Sequence, residues 1–181
     1  MKKIVLTSLL AIAATGASAQ IYVGGDLGLA QAPTDCSAGY SCKDTSLGYK
    51  LYAGYDDTQA IAGELGYISF GKAKVDNDAL GLRGELKAHA VTLALVFRGR
   101  FNADLVGLAR FGAASVSVKQ TANGVTIDSG NGMNVYVGLG LEYALAPHIK
   151  ATASVDMTQG GTDGGNDGSL FLLGAGVKYE F

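Results

Sequence analysis

Apolar residues alternate with small or polar residues along nearly the whole chain after Gln20, and this two-residue period decides what the chain can fold into. A β-strand points successive side chains to opposite sides, whereas a helix repeats its apolar positions every three or four residues. Residues 135–145 show the pattern clearly, because every second residue is apolar or aromatic and Gly138, Gly140 and Glu142 lie between them. The chain is therefore predicted to be all-β, with about eight strands of roughly ten residues each.

The connections between the predicted strands alternate between short and long. The three short turns are expected at residues 56–59, 102–104 and 146–148. The four long, polar loops are expected at residues 31–45, 71–84, 119–132 and 158–168. In an up-and-down sheet this order places every short turn at one end and every long loop at the other, which is typical of outer-membrane barrels.

One side of each predicted strand is nearly free of charge, and we expect this side to face lipid. A tilted strand of about ten residues is long enough to cross a bilayer. A sheet in hydrocarbon must close, because open edges would leave N–H and C=O groups unpaired. A secreted β-sandwich is the alternative, since it also buries one face of each strand. We therefore predict an eight-stranded antiparallel up-and-down transmembrane β-barrel over residues 20–181, surrounded by outer-membrane lipids. Aromatic residues at strand ends favour this interpretation, because such rings prefer the water–lipid boundary: Tyr55, Phe97, Tyr143, Tyr179 and Phe181.

Residues 1–19 have the pattern of a cleaved secretory signal peptide. Lys2 and Lys3 precede an apolar run at residues 4–14, and a small-x-small site follows at Ala17 to Ala19. The run is too short to cross about 30 Å of hydrocarbon at 1.5 Å per residue, which argues against an N-terminal anchor. We expect export, cleavage after Ala19 and a location in the bacterial outer membrane.

Cys36 and Cys42 are the only cysteines in the chain. In an exported protein, two cysteines so close together predict one local disulfide. A metal site is the alternative, but the segment offers no His or second Cys pair to complete four ligands. The sequence therefore indicates neither a metal site nor a bound cofactor here.

The chain has 14 Lys and Arg residues against 16 Asp and Glu, a formal net charge of −2. No excess of basic surface is available for nucleic acid, so we expect no nucleic-acid partner. Instead, isolated charged residues recur on the side of the strands opposite the lipid. Ten of them are expected to form a charge network in the lumen: Asp26, Lys50, Glu64, Arg98, Arg110, Glu142, Lys150, Asp156, Lys178 and Glu180.

The lumen of an eight-stranded barrel is just wide enough for side chains to fill it. Charges shielded from water must pair, because an unpaired buried charge costs several kcal/mol. We expect Glu64 to lie beside Lys50 and Arg98, and Asp26 to lie near Lys178. Tyr22, Tyr52 and Tyr136 are expected to fill space beside the glycines. The alternative is a narrow ion path lined by the same residues.

Four short motifs, in order along the chain, resemble the small outer-membrane barrel family of OmpA-like and opacity-type proteins. They are Tyr22-Val23-Gly24-Gly25, Glu64-Leu65-Gly66-Tyr67, Gly138-Leu139-Gly140-Leu141-Glu142-Tyr143 and Gly176-Val177-Lys178-Tyr179-Glu180-Phe181. In this family the outer-membrane assembly machinery reads the last strand with its C-terminal aromatic residue. The resemblance therefore implies that Tyr179 and Phe181 form the assembly signal.

Catalytic chemistry is not indicated by the sequence. Acyl transfer at a serine needs a general base and a third group to orient it, and only His89 and His148 could serve as the base. His89 is expected near Ser69 and Glu85, but it lacks the His-x-Ser pattern of lipid A deacylase barrels, and His148 is interpreted as a solvated turn residue. We expect no enzymatic activity.

The glycine-rich run at residues 160–168 resembles a single calcium-binding turn. Asp163 and Asp167 could supply oxygen ligands, but such turns occur as stacked repeats and this one has no second copy. A flexible exposed loop is the favoured interpretation.

The sequence predicts a monomeric, structural outer-membrane protein with a filled lumen and surface-exposed loops. One alternative is an opacity-type adhesin that contacts a host through the loops at residues 31–45 and 119–132. The other is a narrow pore for small solutes. The alternation of residues does not encode the surface shape of the loops, so it names no ligand.

Overall fold

In the part of the chain that the structure describes, nine strands follow the alternating segments of the sequence, and each is antiparallel to its neighbours. The computed structural model describes residues 20–31, 41–43, 45–58, 60–77, 82–122, 125–161 and 167–181. In this part of the chain no helix is long and apolar enough to cross a membrane. The strands are β1 (Gln20–Gln31), β2 (Ser41–Lys43), β3 (Thr45–Asp56), β4 (Ile61–Asn77), β5 (Leu82–Arg100), β6 (Leu105–Ala122), β7 (Val125–Ala146), β8 (Ile149–Gly161) and β9 (Asp167–Glu180).

Eight of these strands close into a barrel. The first barrel strand, β1, pairs with β3 on one side and with β9 on the other. The remaining pairs run from β3 to β4, β5, β6, β7 and β8 and so back to β9, which leaves no open edge in the barrel wall. The three-residue β2 pairs with β4 beyond the end of β3. The predicted eight-stranded antiparallel barrel is confirmed, and closure satisfies the backbone groups that hydrocarbon cannot.

Neighbouring residues along a strand have opposite surroundings, as the alternation requires. Lys50 is completely buried, whereas the next residue, Leu51, is 56% exposed. Arg110 and Phe111 show the same contrast, at 3% and 59%. Exposed large apolar residues therefore cover the outside of the barrel, and the sandwich alternative, in which they would share a dry core, is wrong. Among them are Leu27, Leu29, Leu47, Leu65, Leu93, Leu95, Leu139, Leu141, Leu145 and Leu173.

The strands are longer than the lipid requires, and three of the predicted loops are largely strand. The eight barrel strands run from 12 residues in β1 and β3 to 22 in β7. The predicted loops at residues 71–84 and 119–132 are wrong, because β4 and β5 extend to Asn77 and Leu82, and β6 and β7 extend to Ala122 and Val125. The predicted loop at residues 158–168 is likewise shortened by β8 and β9. The cross-strand hydrogen bonds continue beyond the predicted membrane. There the sheet is surrounded by water, so polar side chains on both of its faces have no desolvation cost.

Short turns lie at the other end of the barrel and are fixed by side chains. In the turn between β5 and β6, Asn102 Oδ1 accepts hydrogen bonds from the backbone N–H groups of Asp104 and Leu105, at 2.9 and 2.8 Å. In the turn between β3 and β4, Thr58 Oγ1 accepts one from the N–H of Ile61 at 3.0 Å. These turns mark the periplasmic end of an outer-membrane barrel.

Several predictions fall outside the described residues. These are the signal peptide at residues 1–19, Cys36 and Asp163. Cys42 and Asp167 lie in β2 and β9, but only their backbone is described. The disulfide, the cleavage site and the calcium alternative therefore stay predictions.

Candidate functional site

The inside of the barrel is divided along its axis into two layers. The outer layer is apolar, and its largest buried members include Ile68, Phe70, Val116 and Leu172. The periplasmic layer contains the ten charged residues predicted for the lumen. Asp26, Lys50 and Asp156 lie near the middle of their strands, and the other seven lie on the turn-side half. Of the ten, eight are at most 5% exposed: Asp26, Lys50, Glu64, Arg110, Glu142, Asp156, Lys178 and Glu180.

Lys50 is the centre of the first group of charges. Its Nζ lies 2.9 Å from Asp156 Oδ1 and 3.3 Å from Glu64 Oε1. Arg110 Nε donates a hydrogen bond of 2.9 Å to the same Glu64 oxygen. Tyr136 joins them, because its hydroxyl accepts from Lys50 at 2.9 Å and donates to Asp156. Two carboxylates thus face two cations inside the barrel, which offsets the cost of removing all four from water.

A second group of charges lies closer to the periplasmic turns. Lys178 Nζ contacts Glu142 Oε2 at 2.5 Å and Glu180 Oε1 at 2.9 Å. Lys150, which is a quarter exposed, binds the same Glu180 oxygen at 2.6 Å. These ion pairs connect β7, β8 and β9 across their inward faces.

Two predicted contacts are wrong. Arg98 contacts Asp56, at 2.7 Å from Nη1 to Oδ1, rather than Glu64. The register explains this, because Glu64 pairs with Ala94, four residues along β5 from Arg98. Asp56 itself was missed as a lumen residue, although it extends the inward alternation of Lys50, Tyr52 and Gly54 by one step.

Asp26 is likewise not held by Lys178. Its carboxylate accepts hydrogen bonds from Thr152 Oγ1 at 2.5 Å and from Ser154 Oγ at 3.1 Å. In the register of β1 and β9, Asp26 pairs with Gly176 and Lys178 pairs with Gly24, so the lysine is offset by two residues and extends toward Glu142. Thr152 and Ser154 lie between Lys150 and Asp156 in the inward alternation of β8, but nothing in the sequence singles them out as partners of a carboxylate.

Two buried tyrosines pack against glycines in a reciprocal arrangement. Tyr22 is paired with Gly54 across β1 and β3, and Gly24 is paired with Tyr52. The two rings meet edge to face with their centroids 6.3 Å apart, and Lys178 Nζ lies 4.8 Å from the Tyr22 centroid. The prediction that these tyrosines fill space beside glycines is confirmed.

The C-terminal strand is attached at its end by His148, which the sequence analysis interpreted as a solvated turn residue. His148 Nδ1 donates a hydrogen bond to the carbonyl oxygen of Glu180, and the N–H of Glu180 donates to the carbonyl oxygen of His148, both at 2.9 Å. The rings of Tyr179 and Phe181 meet edge to face at 5.0 Å, and His148 packs on Tyr179 at 6.0 Å. His148 is exposed, but it is not only a solvated turn residue, because these contacts hold the end of the C-terminal strand.

The candidate catalytic histidine, His89, lies on the outside of the barrel. It is paired with Ser69 on β4, and its ring packs against that of Tyr67 with the centroids 6.1 Å apart. Across the described ranges, no three His, Cys, Asp or Glu side chains are grouped so that they could hold a metal ion.

Residues 16–180 match the family described as OmpA-like transmembrane domain. No curated protein sequence matches this chain.

Solved structures with the same fold are small outer-membrane barrels. The attachment invasion locus protein Ail of Yersinia pestis is 18% identical, with a TM-score of 0.60 over 90% of this chain and 98% of that one. Neisserial surface protein A (NspA) is 15% identical, with a TM-score of 0.69 over 89% of this chain and 97% of that one. The N-terminal β-barrel domain of Pseudomonas aeruginosa OprF is 16% identical, with a TM-score of 0.55 over 90% and 97%. At these identities the likeness concerns the fold.

Proposed function

Because this chain belongs to the OmpA-like transmembrane domain family, we propose that it is a non-catalytic protein of the bacterial outer membrane with a closed lumen. The protein then acts through its outer surface and as a rigid structural barrel within the membrane. The single observation that carries this proposal is the ion pair that crosses the lumen between Lys50 and Asp156.

Two barriers in series support a closed lumen. In the periplasmic layer, an ion would have to separate Lys50 from Asp156 and Glu64, which leaves buried charges without partners. In the outer layer it would then pass Ile68, Phe70 and Leu172, all at most 2% exposed. Apolar constrictions of this kind exclude water and ions even without a steric plug.

Conductance across a planar lipid bilayer tests the closed lumen. We expect the purified full chain to insert without steady unit conductance. Because both barriers must open, the control variant is trimmed in both layers. It combines Ile68→Ala, Phe70→Ala and Leu172→Ala with Lys50→Ala and Asp156→Ala, and it should conduct, which also proves that the preparation inserts. Steady, well-defined channels from the unchanged protein would contradict the closed lumen and favour the narrow pore.

The non-catalytic role is supported by the position of His89. Its ring is stacked on Tyr67 on the lipid side of the wall, near the outer boundary of the membrane. Lipid A from cells that overproduce the chain should keep its acyl chains, as judged by mass spectrometry. Loss of an acyl chain that depends on His89 would contradict this role.

A second candidate function is adhesion to a host surface. Two proteins with the same fold are named for attachment and invasion and as a surface protein. The observation in this chain that favours adhesion is the hairpin of β6 and β7, whose ladder continues outward from the pair Val118 and Gly130 to Ala122 and Val125.

Trimming this hairpin tests the adhesin function. Replacement of residues 119–129 by a two-residue Asn-Gly turn keeps the pair Val118 and Gly130 and therefore the barrel ladder below it. If the protein is an adhesin, binding of host cells or matrix by bacteria that display the full chain should be lost in this variant. Removal of residues 32–40, between β1 and β2, tests the other segment that was predicted to contact the host, so loss of binding in either variant supports adhesion. Equal binding by all three would leave the structural role as the function.

A further inference from the structure

The carboxylates inside the barrel outnumber the cations. The predicted set of lumenal charges was balanced, but Asp56 adds one more carboxylate to it. In the described part of the chain, the six lumenal carboxylates are Asp26, Asp56, Glu64, Glu142, Asp156 and Glu180, and the five cations are Lys50, Arg98, Arg110, Lys150 and Lys178. One negative charge is therefore left unmatched, and burial makes such a charge costly.

Asp26 is the carboxylate without a cation. It is 2% exposed, and none of the ion pairs within the described ranges includes it. The cations on its two neighbouring strands have other partners. Lys50 on β3 contacts Asp156 at 2.9 Å, and Lys178 on β9 contacts Glu142 at 2.5 Å. No positive charge is therefore available to match Asp26.

Two hydroxyl groups on β8 contact Asp26 instead. Thr152 Oγ1 donates to Oδ1 at 2.5 Å, and Ser154 Oγ lies 3.1 Å from Oδ2. The same Ser154 oxygen lies 2.9 Å from Oδ2 of Asp156. A serine hydroxyl has a single hydrogen, so Ser154 can donate to only one of these two carboxyl groups. The other carboxyl group must itself supply the hydrogen of its bond to Ser154.

Asp156 is the carboxyl group that stays ionised. Lys50 Nζ lies 2.9 Å from its Oδ1, and the hydroxyl of Tyr136 donates to the same oxygen. Both contacts stabilise a negative charge on Asp156. Asp26 has no cation beside it, so the additional hydrogen belongs on Asp26.

The packing around Asp26 favours a proton over a metal ion. Asp26 is paired with Gly176 on β9, and a Cβ at Gly176 would lie 2.6 Å from its Oδ1. A Cβ at Gly174 would lie 3.2 Å from the Asp26 Cβ. The backbone of β9 thus covers one side of Asp26, and the two hydroxyls of β8 contact its carboxyl oxygens directly. A proton needs no further space between these groups.

We propose that the lumen binds one proton at Asp26 when the barrel folds. An aspartate in water is ionised at neutral pH, so the unfolded chain takes this proton from the solvent. In the folded protein the carboxyl O–H of Asp26 donates to Ser154, and Ser154 donates to Asp156. The bond between Asp26 and Ser154 therefore runs from the carboxyl group to the hydroxyl. The proton makes the negative and positive charges of the lumen equal in number, and it couples folding of the barrel to proton uptake.

Urea unfolding in lipid vesicles at a series of pH values tests this coupling, with Asp26→Asn as the variant. The amide donates to Ser154 and accepts from Thr152 as the protonated carboxyl group does, but it takes up no proton. A folded state that binds one proton more than the unfolded state loses stability as the pH rises. The folding equilibrium constant of Asp26→Asn, relative to that of the unchanged protein, should therefore grow about tenfold per pH unit from pH 5 to 7.

The matched control is Asp57→Asn, at an exposed aspartate in the turn between β3 and β4. Its stability relative to the unchanged protein should not vary with pH over this range. The titratable groups on the strands that contact β1 are present in all three proteins, so their own titration does not produce the expected difference. These groups are Lys50 and Tyr52 on β3, Glu64 on β4, Asp156 on β8 and Lys178 on β9.

Infrared spectroscopy of the folded barrel is an independent measurement that does not require the variant to fold. At neutral pH the unchanged protein should show the C=O stretch of a protonated carboxylic acid. Asp26→Asn should lose this band and Asp57→Asn should keep it, with unheated gel migration to show that each barrel has folded.

The proposal is overturned if the unchanged barrel lacks the carboxylic acid band, or if Asp26→Asn retains it. A stability difference between Asp26→Asn and the unchanged protein that does not vary with pH would also overturn it. A bound sodium ion is the rival to the proton. In that case the unchanged protein, but not Asp26→Asn, would become more stable when sodium replaces choline at constant ionic strength, and the proposal would be wrong.

Discussion

Lys50 on β3 donates a hydrogen bond of 2.9 Å to Asp156 on β8, although β1 and β9 separate these two strands in the sheet. The contact therefore crosses the lumen rather than following the wall. Such a bond forms only where the barrel is narrow enough for two side chains to meet. Lys50 also donates to the hydroxyl of Tyr136 on β7, the strand opposite β3 in the barrel, and so links opposite sides of the protein through its interior.

Replacement of Lys50 by Met should destabilise the barrel strongly. The change leaves Asp156 without its lysine and Glu64 with Arg110 alone, and removal of one partner of a buried ion pair costs about 3 to 5 kcal/mol. Urea unfolding in lipid vesicles measures the loss. Arg100→Met, at an exposed position on β5, is the control and should change stability by less than about 0.5 kcal/mol. Equal stability of the two variants would mean that the cross-lumen pair contributes nothing.

Addition of a methyl group at Gly54 should be costly, and the same change at Gly63 should not. A Cβ at Gly54 would lie 2.6 Å from Cε1 of the buried Tyr22 ring, whereas one at Gly63 would meet no atom within 4 Å. Overpacking of this kind costs about 1 to 3 kcal/mol. The unfolding free energies of Gly54→Ala and Gly63→Ala give the comparison, and a Gly54→Ala protein as stable as Gly63→Ala would refute the packing of Tyr22.

Loss of the His148 side chain should loosen the end of the C-terminal strand. His148→Ala removes the donor to the Glu180 carbonyl, a contribution of about 1 kcal/mol, and removes the ring that packs on Tyr179. Amide hydrogen exchange should become faster at Glu180 and Phe181. His89→Ala, which removes the other histidine of the chain, should leave these two amides unchanged. Unaltered exchange in His148→Ala would show that the backbone hydrogen bonds alone hold this end.

The assembly role of the terminal aromatic residue is tested by Phe181→Ala. If the machinery reads this residue, the variant should accumulate outside the outer membrane and migrate as unfolded protein on unheated gels. Phe101→Ala, at another exposed phenylalanine near the periplasmic turns, is the control and should insert normally. Normal insertion of Phe181→Ala would mean that Phe181 is only an anchor at the membrane interface and not part of an assembly signal.

The predicted cleavage after Ala19 is tested by the mass of the protein recovered from outer membranes. We expect a chain that begins at Gln20, which is also the first residue of β1. Recovery of the chain with residues 1–19 attached would contradict the signal peptide.

Much of the fold could be predicted because the period of two is a local property. The direction in which Lys50, Arg110 and Phe111 point depends only on the pleat of their own strand. Closure then follows from the unpaired edges that lipid forbids. The outer extensions of β4 to β7 escaped prediction because, outside the membrane, neither face of the sheet has to be apolar.

The ion pairs could be predicted only as a set of residues. Which cation meets which carboxylate depends on the stagger between strands, and a shift of two or four residues separates Lys178 from Asp26 and Arg98 from Glu64. No local signal in the sequence sets that stagger. The hydroxyl partners of Asp26 could not be predicted for a related reason. Thr152 and Ser154 lie on β8, which is not adjacent to β1 in the sheet.

The position of the lumenal partners also constrains how the barrel is built. Lys50 and Glu142 find their closest counter-ions, Asp156 and Lys178, on the last two strands of the chain. A nascent sheet that has formed only β1 to β7 would therefore present both charges to its surroundings without these neutralising groups. Such an intermediate should be unstable in the bilayer, because its charges are unpaired. Insertion should therefore be all-or-none and should be completed when the C-terminal hairpin is added.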